Sequence, residues 1–189
     1  MLSESDRKTL LRIARETLKA RLAGLPGPRV TIESPALQAR SGAFVTLKNR
    51  GRLRGCIGSF TARGPLWQTV QGMAEAALQD PRFETSPVTA RELAAIDLEI
   101  SVLSPLERTG DPLKEIELGR HGILIESPFG GGCFLPQVAT ETGWSKEEFL
   151  SHCCAGKASL PADAWTRPDV TVYRFEAEVF GEKQTNAGV

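Results

Sequence analysis
The chain has 189 residues, with 23 lysines and arginines against 23 aspartates and glutamates, so its formal net charge is zero. That balance gives non-specific nucleic-acid binding little help, and an aromatic share of 6% offers few bases for stacking. A hydrophobic share of 41% and a charged share of 24% fit a soluble globular chain with one core, and no apolar run is long enough to span a bilayer.

The start of the chain, Met1 to Lys8, has no apolar stretch of the signal-peptide kind. From Asp6 to Leu22 the pattern is an amphipathic helix, with Leu10, Ala14, Leu18 and Leu22 recurring at i+4. Ser3 with Asp6 caps it, and Gly24-Leu25-Pro26-Gly27-Pro28 stops it. Val30-Thr31-Ile32 reads as a short strand. Ala43 to Leu47 and Leu53 to Gly58 read as a hairpin about the turn Lys48-Asn49-Arg50-Gly51. Pro65 opens a second helix with the stripe Leu66, Val70, Ala74, Ala77 and Leu78, and Asp80-Pro81 ends it.

Thr89 to Glu92 has the form of a capping box before a short helix, and Leu98 to Leu103 alternates like a half-buried strand. Ile116 to Leu118 and Gly122 to Ile125 read as strands about a turn at Gly119-Arg120-His121. Gly130-Gly131-Gly132 reads as a flexible tip, since no phosphate-loop sequence follows it. Cys133 to Pro136 leads into another strand, with Pro136 at its end or on an edge. Ser145 to Glu148 caps a helix that places Cys153 below Phe149 and Cys154 below Leu150, so both cysteines read as core. His152 falls on its polar side. Asp169 to Phe180 is the last strand, and Glu182 onward reads as a polar tail. Helices and strands interleave without regular βαβ spacing, which argues an α+β fold in one domain over residues 1–182, followed by a tail over 183–189.

The stretch with the most chemistry is Leu53-Arg54-Gly55-Cys56-Ile57-Gly58. On a regular strand Leu53, Gly55 and Ile57 share one face. Arg54 and Cys56 share the other, about 7 Å apart. An arginine resists burial unless paired, so Cys56 is expected on a polar, cleft-lining face. A guanidinium beside a thiol raises its thiolate fraction. Gly55 and Gly58 admit the close approach of another backbone or a ligand. The opposing reading is a small buried hydrophobe at Cys56 with Arg54 in a surface ion pair.

These six residues resemble the signature of the AMMECR family, whose microbial members are called protein A of the AmmeMemoRadiSam system. The resemblance continues through Gly42 to Leu47, Asp80-Pro81-Arg82-Phe83, Glu99 to Leu103, Gly119 to Gly122, Leu135 to Val138 and Ala164-Trp165. Lys157-Ala158-Ser159-Leu160 departs from it, with serine where glycine is expected. The resemblance implies an α+β domain, an antiparallel sheet flanked by helices, with room for a larger and a smaller lobe. It implies no established reaction. The family name points to association with a Memo-like protein and a radical S-adenosylmethionine enzyme. The chain has no Cys-x-x-x-Cys-x-x-Cys set to hold an iron–sulfur cluster itself.

A catalytic reading assigns Cys56 as nucleophile, Arg54 as the group that lowers its pKa and His121 as the histidine partner. The Ile57 or Gly58 amide is the candidate oxyanion donor, and Gly55, Ile57 and Gly58 are candidate binding residues. Arg82 is a candidate for a ligand carboxylate, against a structural ion pair at a helix end. His121 has its own plain alternative, a structurally bonded turn histidine. Cys56, His121 and Cys133 lack metal-site spacing, so no metal or cofactor is expected. Four cysteines without a disulfide pattern point to a reducing cytoplasm. The competing class is a non-enzymatic module that docks the two partners or binds their substrate.

Overall fold
The computed structural model describes residues 1–62 and 64–185. The chain divides into two compact units. The larger contains residues 1–103 and the segment from Glu178 onward, and the smaller contains residues 104–177.

In the larger unit, α1 (Glu4–Leu22) starts at Ser3, whose hydroxyl accepts from the Asp6 amide while the Asp6 carboxylate accepts from that of Ser3. The pair satisfies two of the amides that every helix start leaves without partners. The stripe Leu10, Ala14 and Leu18 is fully buried. The segment Val30-Thr31-Ile32 is not a strand. Prolines at 26, 28 and 35 bracket it, and none of them has an amide to extend a ladder to either side. The one-turn α2 (Pro35–Gln38) follows it.

Strands β1 (Ala43–Asn49) and β2 (Arg52–Ser59) form the expected hairpin. Its two central residues, Arg50 and Gly51, have φ of 49° and 80°. Two positive values suit the tight turn whose twist matches that of the strands. Helix α3 (Leu66–Ala77) and strand β3 (Ile96–Leu103) complete the unit's main elements. The sheet order is β2-β1-β3, with β1 antiparallel to both neighbours. Val45, Leu47, Leu98 and Ile100 join Leu10, Leu18, Val70 and Ala77 in one core between the sheet and helices α1 and α3.

The expected helix after Thr89 is only a 3-10 turn at Leu93–Ala95. Thr89 does bond the Glu92 amide. The Glu92 carboxylate, however, is taken by Asn49 and Arg54, so the box is never closed.

In the smaller unit come β4 (Glu107–Arg108), α4 (Pro112–Glu115), β5 (His121–Ser127) and β6 (Gly130–Phe134). They are followed by α5 (Pro136–Thr142), α6 (Lys146–Gly156) and β7 (Thr171–Gly181), whose last residues enter the larger unit. β5 pairs antiparallel with β6 and β7, and β4 pairs with β7. Phe149, Cys153 and Cys154 are fully buried on α6, as their spacing implies.

Four expectations fail here. Ile116 to Leu118 is a loop, because the Glu117 amide is given to His121 Nδ1 at 3.0 Å. The three glycines are strand residues of β6, not a tip. A Cβ on Gly130 would meet the Ala158 carbonyl, and one on Gly132 would meet Lys157. Pro136 opens a helix, since its missing amide costs nothing at a first turn. Glu182 does not begin a frayed tail. The short α7 (Glu182–Thr185) starts there, and Glu182 pairs with Arg15 of α1. Residues 186–189 of the expected tail lie outside the described residues. Among the described residues no helix is long and apolar enough to cross a membrane.

Candidate functional site
The register of the hairpin shifts between Leu47 and Lys48. Leu47 faces Gly55 and Lys48 faces Leu53, so Arg54 is an extra residue, a β-bulge. The bulge breaks the alternation that the sequence suggests. Leu53 lines up with Lys48, which shares a face with Thr46 and Cys56. It is therefore not on the Ile57 face, and it is 37% exposed. Ile57 pairs with Val45 and packs on the core.

The bulged Arg54 points its guanidinium at Glu92, with Nε 2.6 Å from Oε1 and Nη2 3.1 Å from Oε2. Nη2 also donates to the Ser86 carbonyl at 2.9 Å. Its pKa is raised, first by the Glu92 hydrogen bond.

The cation that touches residue 56 is Arg82. β2 is the edge strand of its sheet, and Cys56 turns both backbone polar groups to that open edge. Its N–H donates to Asp80 Oδ2 at 2.9 Å, and its carbonyl accepts from Arg82 Nη2 at 3.1 Å. Arg82 in turn grips Asp80, with Nε 3.0 Å from Oδ1 and Nη2 2.6 Å from Oδ2. Asp80 also caps the turn Pro81–Phe83 by accepting from the Arg82 amide. The Asp80 side chain is 1% exposed, and the Arg82 hydrogen bond is the largest influence holding its carboxyl down to about 2. One carboxylate and one guanidinium thus close the strand edge at the cysteine, where an open edge is a liability.

Backbone groups alternate along a strand, so the Ile57 amide faces β1 and the Gly58 amide faces the open edge. Both signature glycines answer to packing. A Cβ at Gly55 would fall on the Ala77 carbonyl oxygen at the end of α3, and one at Gly58 would fall on the Phe44 ring.

Cys56 is half-buried on the sheet face opposite the core. Thr46 lies directly across from it, and Glu99 lies across from Thr46 on the other side. Thr46 Oγ1 donates to Cys56 Sγ at 3.3 Å. Glu99 accepts from Lys48 Nζ at 3.2 Å. A thiol, a hydroxyl and a carboxylate therefore form one row across three strands, with an ammonium at its side. Thr46, Glu99, Lys48 and Asp80 were not among the sequence-derived site residues. Thr46 had a signal, a lone hydroxyl within the apolar run Ala43 to Leu47. Asp80 was read only as a helix end.

His121 belongs to the smaller unit, at the start of β5. It is buried, and burial is the main cause lowering its pKa. Among the described residues no group of three His, Cys, Asp or Glu is placed to hold a metal ion.

None of the four cysteines is in a disulfide, and they differ sharply in setting. Burial pushes the thiols of Cys153 and Cys154 up. Brief iodoacetamide treatment followed by peptide mapping should therefore label Cys56 well before either of them. Simultaneous labelling of the three would contradict this placement.

The comparisons with known proteins agree over nearly the whole chain. Residues 11–180 match the family model described as AMMECR1. A protein of Methanothermobacter thermautotrophicus is 41% identical over 188 residues, covering 96% of each chain. One from Methanocaldococcus jannaschii is 40% identical over 189 residues, covering 95% of this chain and 91% of its own. The crystal structure of an uncharacterized protein from Pyrococcus horikoshii is similar with a TM-score of 0.84 at 38% identity, over 93% of this chain and 90% of that one.

Proposed function
Since the chain belongs to the AMMECR1 family, we propose that the Cys56 row is its working site. In this reading it acts as a catalytic or group-accepting centre beside a Memo-like protein and a radical S-adenosylmethionine enzyme. The observation that carries it is the row Cys56-Thr46-Glu99 on a sheet face, with the cysteine backbone clasped on both polar groups. Packing alone does not call for a thiol, a hydroxyl and a carboxylate in line. Cys56 supplies the nucleophile or the accepting sulfur. The Thr46 hydroxyl donates to that sulfur at 3.3 Å and fixes its place in the row. Glu99, tied to Lys48, is the nearest carboxylate in the row for handling a proton. Arg54 acts through Glu92 to pin the bulge. Four cysteines without a disulfide suit a reducing, cytoplasmic setting.

A docking module is the second reading, and Phe129 favours it. This side chain is 81% exposed in the β5–β6 turn, whose amides at 129 and 130 are both held by the Ser127 hydroxyl. An aromatic side chain presented on a fixed turn is a suitable anchor for a partner.

Cys56→Ser separates the readings. In a reconstituted system with both partners, a catalytic Cys56 predicts lost turnover with nearly unchanged partner affinity, because one small thiol adds little contact area. Docking predicts that Cys56→Ser is tolerated and that Phe129→Ala weakens the complex. Wild-type turnover and affinity in Cys56→Ser would remove the cysteine from the mechanism.

A further inference from the structure
A second polar site lies wholly within the smaller unit. A pocket of about 500 Å³ is bounded by the loop before β5, by β7 and by the first residue of α6. His121 lines it and is 8% exposed. Its Nδ1 accepts the Glu117 amide hydrogen at 3.0 Å. That bond occupies the Nδ1 lone pair, so the neutral ring carries its proton on Nε2. The carboxylate nearest to Nε2, from Glu176, is 3.9 Å away, beyond hydrogen-bond reach. Nε2–H therefore remains at the pocket for water or a ligand oxygen to meet.

The cations around this ring are not equivalent. Arg174 spends its donors on Glu107 and the Glu115 carbonyl. Arg120 is held between Glu176 and Glu117. Lys146 donates only to the Leu113 carbonyl, at 2.8 Å, and has no carboxylate partner among the described residues. Two of its three N–H groups remain for a guest. After burial, Arg174 and Arg120 lower the His121 pKa more than Glu176 and Glu117 raise it.

We propose that this pocket binds the oxyanion group of a small polar ligand, a carboxylate or a phosphate, with His121 Nε2–H and the Lys146 ammonium as its donors. Both sources present the same chemistry, an oxygen anion for one neutral and one charged donor. The site is independent of Cys56, so its test does not depend on the reaction proposed there.

The chain has only two histidines, which makes ring NMR a direct readout. Inorganic phosphate and acetate are titrated separately into the full chain, with sodium chloride holding the ionic strength. The His121 ring signals should shift and saturate with at least one anion. Those of His152, stacked on Trp144, should stay in place. Lys146→Ala should weaken the binding about tenfold, the loss of one hydrogen bond to a charged group. Lys146→Gln serves if the alanine variant does not fold. The anion that saturates first names the preferred headgroup. No saturation with either anion overturns the proposal, as does an equal response at both histidines or one that ignores the Lys146 substitution.

Discussion

Replacing Gly55 by alanine is expected to destabilise the protein by about 1–3 kcal/mol, although it adds a single methyl group. The new Cβ would fall on the Ala77 carbonyl oxygen, with the Ala77 carbonyl carbon 3.1 Å away. Both are backbone atoms at the end of α3, so no side chain can swing aside. Either α3 lifts from the sheet or β2 bows outward, and both disturb the core around Leu47 and Ala77. Gly72 supplies the control within the same helix. It is exposed and a Cβ there meets nothing within 4 Å. Gly72→Ala should therefore stabilise by about 0.5–1 kcal/mol through helix propensity. Denaturant unfolding of the two variants should give shifts of opposite sign. Equal stability of Gly55→Ala and the wild type would mean that α3 does not press on β2 as described. The strain has a second effect. Only two residues separate Ala77 from Asp80, so displacing the end of α3 also loosens the clasp on Cys56.

Much of this arrangement was legible in the residues. Elements with strong local signals appeared as expected: the Ser3 and Ser145 caps, the α3 stripe and the hairpin about Asn49 to Gly51. What the alternation rule missed depends on partners distant in sequence. A bulge is invisible until the register with β1 is known, so Arg54 was assigned to the Cys56 face. Its true partner, Glu92, lies 38 residues away. Arg82 was weighed between a ligand and an ion pair, and in this structure its Nε and Nη2 are engaged by Asp80. The glycines of β6 were mistaken for a tip because the reason for their smallness, the chain at Lys157 and Ala158, comes later in sequence. One departure from the family pattern proved local. Ser159, standing where glycine is expected, still has φ of 57°. The left-handed turn is kept, and a residue with a Cβ bears the strain.

Asp80→Asn should cost about 2 kcal/mol near neutral pH, and that cost should vanish in acid. The carboxyl is buried and titrates near 2, against an ordinary value of 3.8. A difference of nearly two units, at 1.36 kcal/mol each, gives about 2 kcal/mol. The depressed folded value sets the sign. The unfolded chain takes up the proton first on acidification, so the contribution is complete above 3.8 and is lost as the pH falls towards 2. Asparagine keeps the shape but not the charge. Unfolding free energies of wild type and Asp80→Asn, compared from pH 7 down to pH 2, should therefore converge on the acid side. Other carboxylates titrate in both proteins and cancel in the difference. A gap that stays constant with pH would assign Asp80 a role of shape alone, and the absence of any gap would remove the clasp from the stability of the fold. The same substitution bears on the site. With Arg82 released, neither backbone group of Cys56 is held at the edge, and hydrogen exchange at the Cys56 amide should quicken while the core amides of α1 keep their protection.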